Sequence, residues 1–283
     1  AGGRGAAFGI LQQKNKNGYK KQIFHSGSLV IMDACRPGFS ADSADKINER
    51  SARRVIKELY SDVVIIGGGT GGCAAALAAA RSGRTVLMTE ETDWIGGQLT
   101  SQAVPPDEHP WIEQFGCTRS YREFRNRVRD YYRRNFPLTA AAFADPHLNP
   151  GGGYVSRLCH EPRAAWAVLK EMLAPYVHSG RIRIMTRHRP VKAFVDGDAV
   201  LSVTVQNRDA SDLLELQGRY FLDATECGDL LPLTGTEYVT GAESAAQTGE
   251  PHALPGEADP MDMQGFTWCF AVDYREGEDH TIP

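Results

Sequence analysis

The hydrophobic pattern of residues 62–89 predicts one strand–helix–strand unit. Asp62–Ile66 is a continuous, β-branched apolar run, which is typical of a buried strand in a parallel sheet. The Ala-rich stretch Gly71–Ser82 has high helix propensity, and Gly83 stands where a helix commonly ends. Thr85–Thr89 then returns as a second apolar strand. Two strands joined by a helix in this way form a βαβ unit with parallel strands.

The pattern after this unit divides the chain further. An irregular stretch rich in Pro, Gly and aromatic residues is interrupted by a predicted helix at Ser120–Asn135, and a second helix is predicted to start at Pro162. Alternating apolar runs around the turn Asp196-Gly197 then indicate a β-meander. The predicted divisions are 1–60 (extension or linker), 61–97 (first βαβ unit), 98–160 (inserted, substrate-facing region), 161–240 (continuation with β-meander) and 241–283 (start of a truncated substrate domain).

Composition favours a soluble α/β enzyme. The 283 residues are 42% hydrophobic and 23% charged, as in ordinary globular proteins. The net charge of -4 gives no general attraction to nucleic acid, and no apolar run approaches the about 20 residues of a membrane span. The six cysteines include no C-x-x-C pair, so a zinc knuckle is not expected and a cytoplasmic location is favoured. A removed export signal is an alternative, because the chain begins with Ala1.

A glycine motif between the first strand and its helix predicts a dinucleotide site. Gly67, Gly69 and Gly72 fit G-x-G-x-x-G, which needs a tight turn, a close approach to a pyrophosphate and close helix–strand packing. The N–H groups at the helix start stabilise phosphate without Lys or Arg. Glu90 ends the second strand, 18 residues after Gly72, where a carboxylate binds ribose hydroxyls. The alternative is that the glycines only allow the helix to pack on the strand.

Further segments carry a family resemblance. A glycine doublet follows Glu90, and Ala224-Thr225 follows a later strand. The segments are Glu91–Thr100, Tyr220–Gly235, Leu158–Pro162, Glu237–Glu243 and Asp262–Phe266. Together with the glycine motif they resemble the FAD-dependent oxidoreductase family, flavoproteins with two dinucleotide-binding domains related to the fumarate reductase and glucose-inhibited-division groups. The resemblance covers about residues 61–273.

This resemblance implies the fold, the cofactor and the residues that bind it. The fold would be α/β, with a Rossmann-like doubly wound FAD-binding domain, a β-meander and an inserted, partly helical region. The resemblance places the phosphate loop at Gly67, Gly69, Thr70, Gly71 and Gly72, the ribose acceptor at Glu90, the flavin-side approach at Gly96, Gly97, Gln98 and Leu99, the adenine contact at Val191 and the returning turn at Ala224 and Thr225. It also implies that the chain stops before a late segment of the family, so that a partner chain or a further C-terminal segment would complete the flavin site.

Cys159 and His160 are the candidate catalytic residues. They precede the helix that starts at Pro162, where a His or Cys facing a flavin would exchange a proton with substrate. In the alternative interpretation Glu161 caps the helix, Cys159 packs in the interior and His160 is a satisfied polar group. Neither Asp107–His109 nor Asp145–His147 has a second ligand group at metal-binding spacing, and no metal is expected.

The predicted helix at Ser120–Asn135 lies in an arginine-rich stretch. Its arginines would bind an anionic substrate or, as in most such helices, form a solvated face. An apolar stripe is predicted at Tyr121, Phe124, Val128 and Tyr131. The arginines are Arg119, Arg122, Arg125, Arg127, Arg129, Arg133 and Arg134.

These observations predict an FAD-dependent oxidoreductase that transfers a hydride from a small organic substrate to bound flavin. Two alternatives remain at this point. One is an NAD-binding dehydrogenase domain, in which the glycine doublet is coincidental. The other is a non-catalytic, FAD-holding subunit of a larger complex.

Overall fold

The computed structural model describes residues 11–14, 20–23, 30–33, 57–210, 212–265, 269 and 276–280. The strands are β1 (Leu11–Lys14), β2 (Lys20–Ile23), β3 (Val30–Asp33), β4 (Lys57–Ile66), β5 (Val86–Glu90), β6 (Ile182–Thr186), β7 (His188–Asp196), β8 (Ala199–Asn207) and β9 (Leu213–Asp223). The α-helices are α1 (Thr70–Arg81), α2 (Arg119–Asn135), α3 (Ala140–Ala144), α4 (Pro162–His178), α5 (Leu230–Leu233) and α6 (Ala245–Thr248), and a 3-10 helix spans Gly97–Leu99.

The chain divides into two compact units. Unit 1 comprises residues 1–97 and 166–240, and unit 2 comprises residues 98–165 and 241–283. Each unit is therefore built from two stretches of sequence. No helix among the described residues is both long and apolar enough to cross a bilayer.

Unit 1 contains a mixed sheet in the order β6-β5-β4-β9-β8-β7. Strands β6, β5, β4 and β9 run parallel to one another, whereas β7, β8 and β9 form antiparallel pairs. Helix α1 connects β4 to β5 and packs on both. The unit thus has the predicted α/β class, with a Rossmann-like parallel sheet and a β-meander. Because parallel strands end at the same edge, the carboxyl ends of β4, β5 and β9 lie together.

Strand β4 begins at Lys57, five residues before the predicted start at Asp62. Its first residues have little apolar pattern, but their backbone pairs with Leu214–Gly218 of β9. This long-range pairing explains why local sequence did not show them as strand. Part of the predicted extension also joins the sheet, since β3 pairs antiparallel with Tyr220–Asp223 of β9, while β1 pairs with β2.

One buried core cluster of unit 1 combines side chains of the parallel strands and of the meander. Val64 and Ile66 of β4 pack in one buried cluster with Val203, Leu216 and Phe221. Because successive strand residues face opposite sides, Val64 and Ile66 join this cluster together, whereas Ile65 between them does not. Burial of each such side chain contributes about 1.5 to 3 kcal/mol, so the cluster fixes the strand ends that carry the glycine motif.

Helix α2 of unit 2 has a side-chain cap and a buried apolar stripe. The Thr118 side chain caps it by accepting a hydrogen bond from the Tyr121 N–H (3.2 Å). Phe124, Val128 and Tyr132 form its buried stripe at four-residue spacing. Tyr131, which was predicted in that stripe, is half-buried beside it.

Two arginines of α2 are buried, so the prediction of a solvated arginine face is wrong for them. Arg125 and Arg129 are 0% and 2% exposed. Arg125 forms ion pairs with Glu108 and Glu113, and Arg129 donates to Glu113 (2.6 Å) and to the Leu148 carbonyl (3.0 Å). A buried charge needs such partners to offset its desolvation. The charges of these arginines are therefore neutralised by loop carboxylates that precede the helix.

We expect Glu113 to make unit 2 acid-sensitive. Burial raises the pKa of Glu113, but the hydrogen bonds and positive charges of Arg129 and Arg125 outweigh it and lower the pKa from 4.5 to about 2. A carboxyl group with a lowered pKa in the folded state stabilises the protein fully above about pH 4.5 and loses this contribution toward pH 2. The difference in the free energy of unfolding between the parent and Glu113→Gln should therefore shrink by about 1 to 2 kcal/mol as the pH falls over this range, after allowance for solvent screening.

Chemical unfolding at several pH values tests this expectation. Glu123→Gln is the matched control, since Glu123 pairs with Arg127 on a half-exposed part of the same helix. The free energy of unfolding of Glu123→Gln should stay close to that of the parent at every pH. A constant difference between the parent and Glu113→Gln would contradict the assignment.

Candidate functional site

The predicted phosphate loop joins the end of β4 to the start of α1. Gly67 has φ +103°, a conformation that favours glycine, and a Cβ there would lie 2.1 Å from the Ala224 carbonyl oxygen. A Cβ on Gly72 would lie 2.1 Å from the Gly67 carbonyl oxygen. Gly69 precedes α1, and no side chain caps the helix start. The loop is thus in backbone contact on two sides while the helix N-terminus is left without a side-chain cap.

Gly68 connects the loop to two other segments, a role that the glycine motif did not reveal. Its N–H donates to Glu90 Oε2 (3.0 Å). Its carbonyl accepts from the Gly96 N–H (2.8 Å) and from the Cys73 thiol (3.3 Å). Burial, with a smaller effect from the Glu90 charge, raises the pKa of Cys73 to about 12, so this thiol stays protonated and can donate. The only signal in the sequence was the uninterrupted run of three glycines.

Glu90 is buried at the end of β5, next to the loop. Its Oε1 accepts from both the N–H (2.8 Å) and the hydroxyl (2.7 Å) of Thr92. Its Oε2 accepts the Gly68 N–H, and a carboxylate oxygen has a second lone pair. The carboxylate is therefore held in one orientation with acceptor capacity remaining on Oε2.

The glycine doublet also reaches the phosphate loop. Gly96 and Gly97 have φ values of +112° and +51°, and the Thr70 hydroxyl donates to the Gly96 carbonyl (2.9 Å). A Cβ on Gly97 would lie 3.1 Å from Gly69 Cα and 3.5 Å from the Thr70 nitrogen. Gly97, Gly69 and the Thr70 N–H thus border one small space at the start of α1.

Gln98 and Leu99 follow the doublet and belong to unit 2. The Gln98 amide donates to Asp107 Oδ2 (3.3 Å), and Leu99 is buried. Val191 lies in β7, beside an irregularity in the register with β8, and is partly exposed.

The turn after β9 is organised by Asp223, another residue that the sequence analysis missed. Asp223 is buried, and its carboxylate accepts from the Thr225 N–H (3.0 Å), the Thr225 hydroxyl (2.7 Å) and the Leu230 N–H (2.9 Å). The Ala224 N–H donates to the Ile66 carbonyl (2.7 Å). These bonds hold Ala224 against Gly67. The signal was an acidic residue directly after the apolar run Tyr220–Leu222.

His160 lies in unit 2, before α4. Its Nδ1 is 3.1 Å from the Glu161 carbonyl, which only accepts, so Nδ1 carries the proton of the neutral ring. Its Nε2 is buried and has no hydrogen-bond partner among the described residues. Burial lowers the pKa of His160, and this outweighs the opposing hydrogen bond to Glu161 and the charge of Glu108. His160 is therefore neutral at pH 7 with an acceptor nitrogen that no described group uses.

The other candidate residues of unit 2 have structural contacts. Cys159 is buried, and its thiol lies 3.7 Å from the Ser156 carbonyl. His147 Nδ1 lies 3.2 Å from Glu113, and His109 Nδ1 accepts from the Trp111 N–H (3.2 Å). The described part of the chain contains no group of three His, Cys, Asp or Glu residues that could hold a metal ion.

We expect Gly72→Ala to destabilise the protein, although alanine favours helices over glycine by about 1 kcal/mol. The added Cβ would lie 2.1 Å from the Gly67 carbonyl oxygen, so the helix or the loop must shift. The free energy of unfolding should fall by about 2 kcal/mol or more, as measured by urea unfolding. Gly256→Ala is the control, because its Cβ would meet no atom within 4 Å, and it should change stability by about 0.5 kcal/mol at most. Equal stability of the two variants would contradict the close helix–loop contact.

Comparisons with solved structures give matches at low identity. An L-proline dehydrogenase from P. horikoshii is 17% identical over 58% of this chain and 22% of that chain, with a TM-score of 0.30. Mycobacterium smegmatis Sdh1 in complex with UQ1 is 16% identical over 57% of this chain and 33% of its own, with a TM-score of 0.37. The myxobacterial chondrochloren halogenase CndH, described as a variant of FAD-dependent halogenases, is 17% identical over 58% and 37%, with a TM-score of 0.36. The chain thus spans well under half the length of these three proteins.

A match to a protein-family model shows which family the chain belongs to. No curated protein matches the chain. The sequence model of the family described as "FAD dependent oxidoreductase" matches residues 62–282, which is most of the chain and includes the phosphate loop, Glu90 and the turn after β9. The predicted cofactor, FAD, is therefore confirmed at the level of the family, and the NAD alternative is set aside. The chain belongs to the FAD dependent oxidoreductase family.

Proposed function

We propose that unit 1 binds FAD with its pyrophosphate at the start of α1. The observation that carries this proposal is the space bordered by Gly69, Gly97 and the Thr70 N–H at a helix start that no side chain caps. A Cβ at either glycine would protrude into that space, and the helix dipole favours an anion there. The residues present therefore fit a pyrophosphate group.

The remaining cofactor contacts follow from the placement of the site residues. Glu90 would accept a ribose hydroxyl on Oε2, and its charge would disfavour an additional phosphate on the ribose. Gly67 and Gly72 shape the loop, while Thr70 and Gly71 present the first N–H groups of α1. Ala224 and Thr225 form the returning turn beside the pyrophosphate. Val191 would contact the adenine through its backbone, and Gly96, Gly97, Gln98 and Leu99 would lead toward the flavin.

We further propose that the chain takes part in oxidising a small organic substrate. Bound FAD supplies the acceptor for the hydride. Among the two candidate residues, His160 is favoured as the base that removes a substrate proton, because its Nε2 is an unprotonated acceptor without a described partner. Cys159 is a weaker candidate, since its side chain is buried and its thiol lies 3.7 Å from the Ser156 carbonyl. The lowered pKa of His160 suits a base at neutral pH, because the ring is then uncharged.

Reconstitution with FAD tests the proposed site. The purified full chain, freed of chromophore by denaturation and refolded, should bind FAD and regain visible flavin absorption. Glu90→Gln should weaken FAD binding about ten- to a hundredfold, because hydrogen bonds to a charged acceptor are lost. Glu237→Gln is the control, since Glu237 is an exposed carboxylate of the same unit. Glu90 also holds Gly68, so thermal unfolding of each variant must accompany the titration. FAD affinity that is unchanged in Glu90→Gln would remove Glu90 from the site.

The role of His160 predicts a pH dependence. The rate of anaerobic flavin reduction, measured with a substrate that bleaches the bound flavin, should fall as the pH drops through a value below 6.5, because protonation of Nε2 removes the base. His160→Gln should reduce the rate about 10²- to 10⁴-fold and lose this acid limb. His252→Gln, at an exposed position of the same unit, should behave like the parent. Reduction of His160→Gln at the parental rate would exclude His160 as the base.

A further inference from the structure

Glu226 places a negative charge at the phosphate loop. It follows the Ala224-Thr225 turn, and its Oε1 lies 3.0 Å from the position that a Cβ on Gly69 would take. The same oxygen lies 2.8 Å from the Cβ position of Gly97. These two glycines border the space that we assign to the pyrophosphate. A carboxylate oxygen of the chain itself therefore lies in that space.

The edge of unit 1 around Glu226 combines a helix start with several carboxylates. The start of α1 has no side-chain cap and no acidic residue in its first turn, so its partial positive charge is available to an anion. The surrounding strand ends are acidic: burial and the charges of Asp223 and Glu91 raise the pKa of Asp229. The helix start is thus an attractive position for a carboxylate within an otherwise negative neighbourhood.

We propose that Glu226 is a resident anion of the phosphate loop, which must leave the start of α1 before the pyrophosphate of FAD binds there. This inference rests on the proposed function, because it takes the pyrophosphate position from it. Two anions in one small space repel each other, so the Glu226 carboxylate and the pyrophosphate do not share it. Glu226 is exposed, so its side chain has room to move into solvent without disturbing the core.

The consequence is that Glu226 lowers the affinity of the chain for FAD. The charge of its carboxylate opposes the pyrophosphate, both while the side chain occupies this space and while it remains nearby. A neutral residue of the same size removes both effects. In contrast, a carboxylate that accepted a hydroxyl of the cofactor would raise the affinity, so the sign of the effect separates the two roles.

Titration of Glu226→Gln tests the proposal. The refolded, chromophore-free full chain is titrated with FAD by flavin fluorescence, and with ADP and adenosine by calorimetry. FAD and ADP should bind about two- to fivefold more tightly to Glu226→Gln than to the parent, the size typical of a charge at a helix N-terminus. Adenosine, which has no phosphate, should bind equally to both. Glu237→Gln, an exposed carboxylate in unit 1 with the same change of charge, should bind all three like the parent.

Weaker or unchanged binding of FAD and ADP to Glu226→Gln would overturn the proposal. Tighter binding of adenosine by the same factor would also overturn it, because the effect would then not come from the phosphates.

Gly69→Ala distinguishes failure of this inference from failure of the proposed function. Its Cβ would enter the phosphate space, where it would lie 3.0 Å from the flexible end of Glu226 and 3.9 Å from the Ala224 carbonyl oxygen, so the loop itself can keep its structure. If Gly69→Ala abolishes FAD binding while Glu226→Gln binds like the parent, the pyrophosphate position stands and the role of Glu226 is wrong. If Gly69→Ala binds FAD like the parent, the pyrophosphate position itself is wrong.

Discussion

The candidate site depends on the backbone hydrogen bonds of one residue, Gly68. Its N–H fixes the carboxylate that ends β5, and its carbonyl receives the Gly96 N–H and the Cys73 thiol. Hydrogen bonds of the Gly68 backbone therefore connect three segments: the loop after β4, the start of α1 and the segment after β5. Ala224 closes the loop from the other side, where a Cβ on Gly67 would meet its carbonyl oxygen at 2.1 Å. Because each of these contacts involves a backbone atom of the loop, the chain itself holds the loop in place, which limits the ordering that binding requires.

Negative charge is the second constraint on this site. Buried Glu90 and Asp223 hold the ends of β5 and β9 in place through backbone N–H groups, so neither can be removed without loosening a turn. Glu90 contacts the phosphate loop at Gly68, and Asp223 holds the turn that contacts the loop at Gly67, so both carry negative charge near the position that we propose for the pyrophosphate. The helix start offsets this conflict by offering N–H groups and a dipole, and no basic side chain lies in the first turn of α1. At these strand ends, the carboxylates that stabilise the turns would therefore also lower the affinity for an anionic ligand.

The sequence was most informative where local patterns determine structure. The apolar run before Gly67, the Ala-rich helix and the spacing to Glu90 predicted the βαβ unit and its phosphate loop, because each depends on neighbouring residues. The early start of β4 was missed, since its pairing partner in β9 lies far along the chain. Burial of Arg125 and Arg129 was missed for a related reason: the neutralising carboxylates Glu108 and Glu113 lie outside the helix. The contacts of Gly68 likewise depend on where three separate segments meet.

The most direct measurement is hydrogen–deuterium exchange of the backbone amides with and without FAD. We predict that FAD slows exchange in residues 67–72 and in the adjoining segments 90–97 and 224–229. The reason is that the pyrophosphate binds N–H groups of the phosphate loop at the start of α1. ADP should protect the amides of residues 69–72 as FAD does, since it carries the same pyrophosphate. Protection by FAD that leaves residues 67–72 unchanged would contradict the assignment of the phosphate loop and, with it, the proposed site.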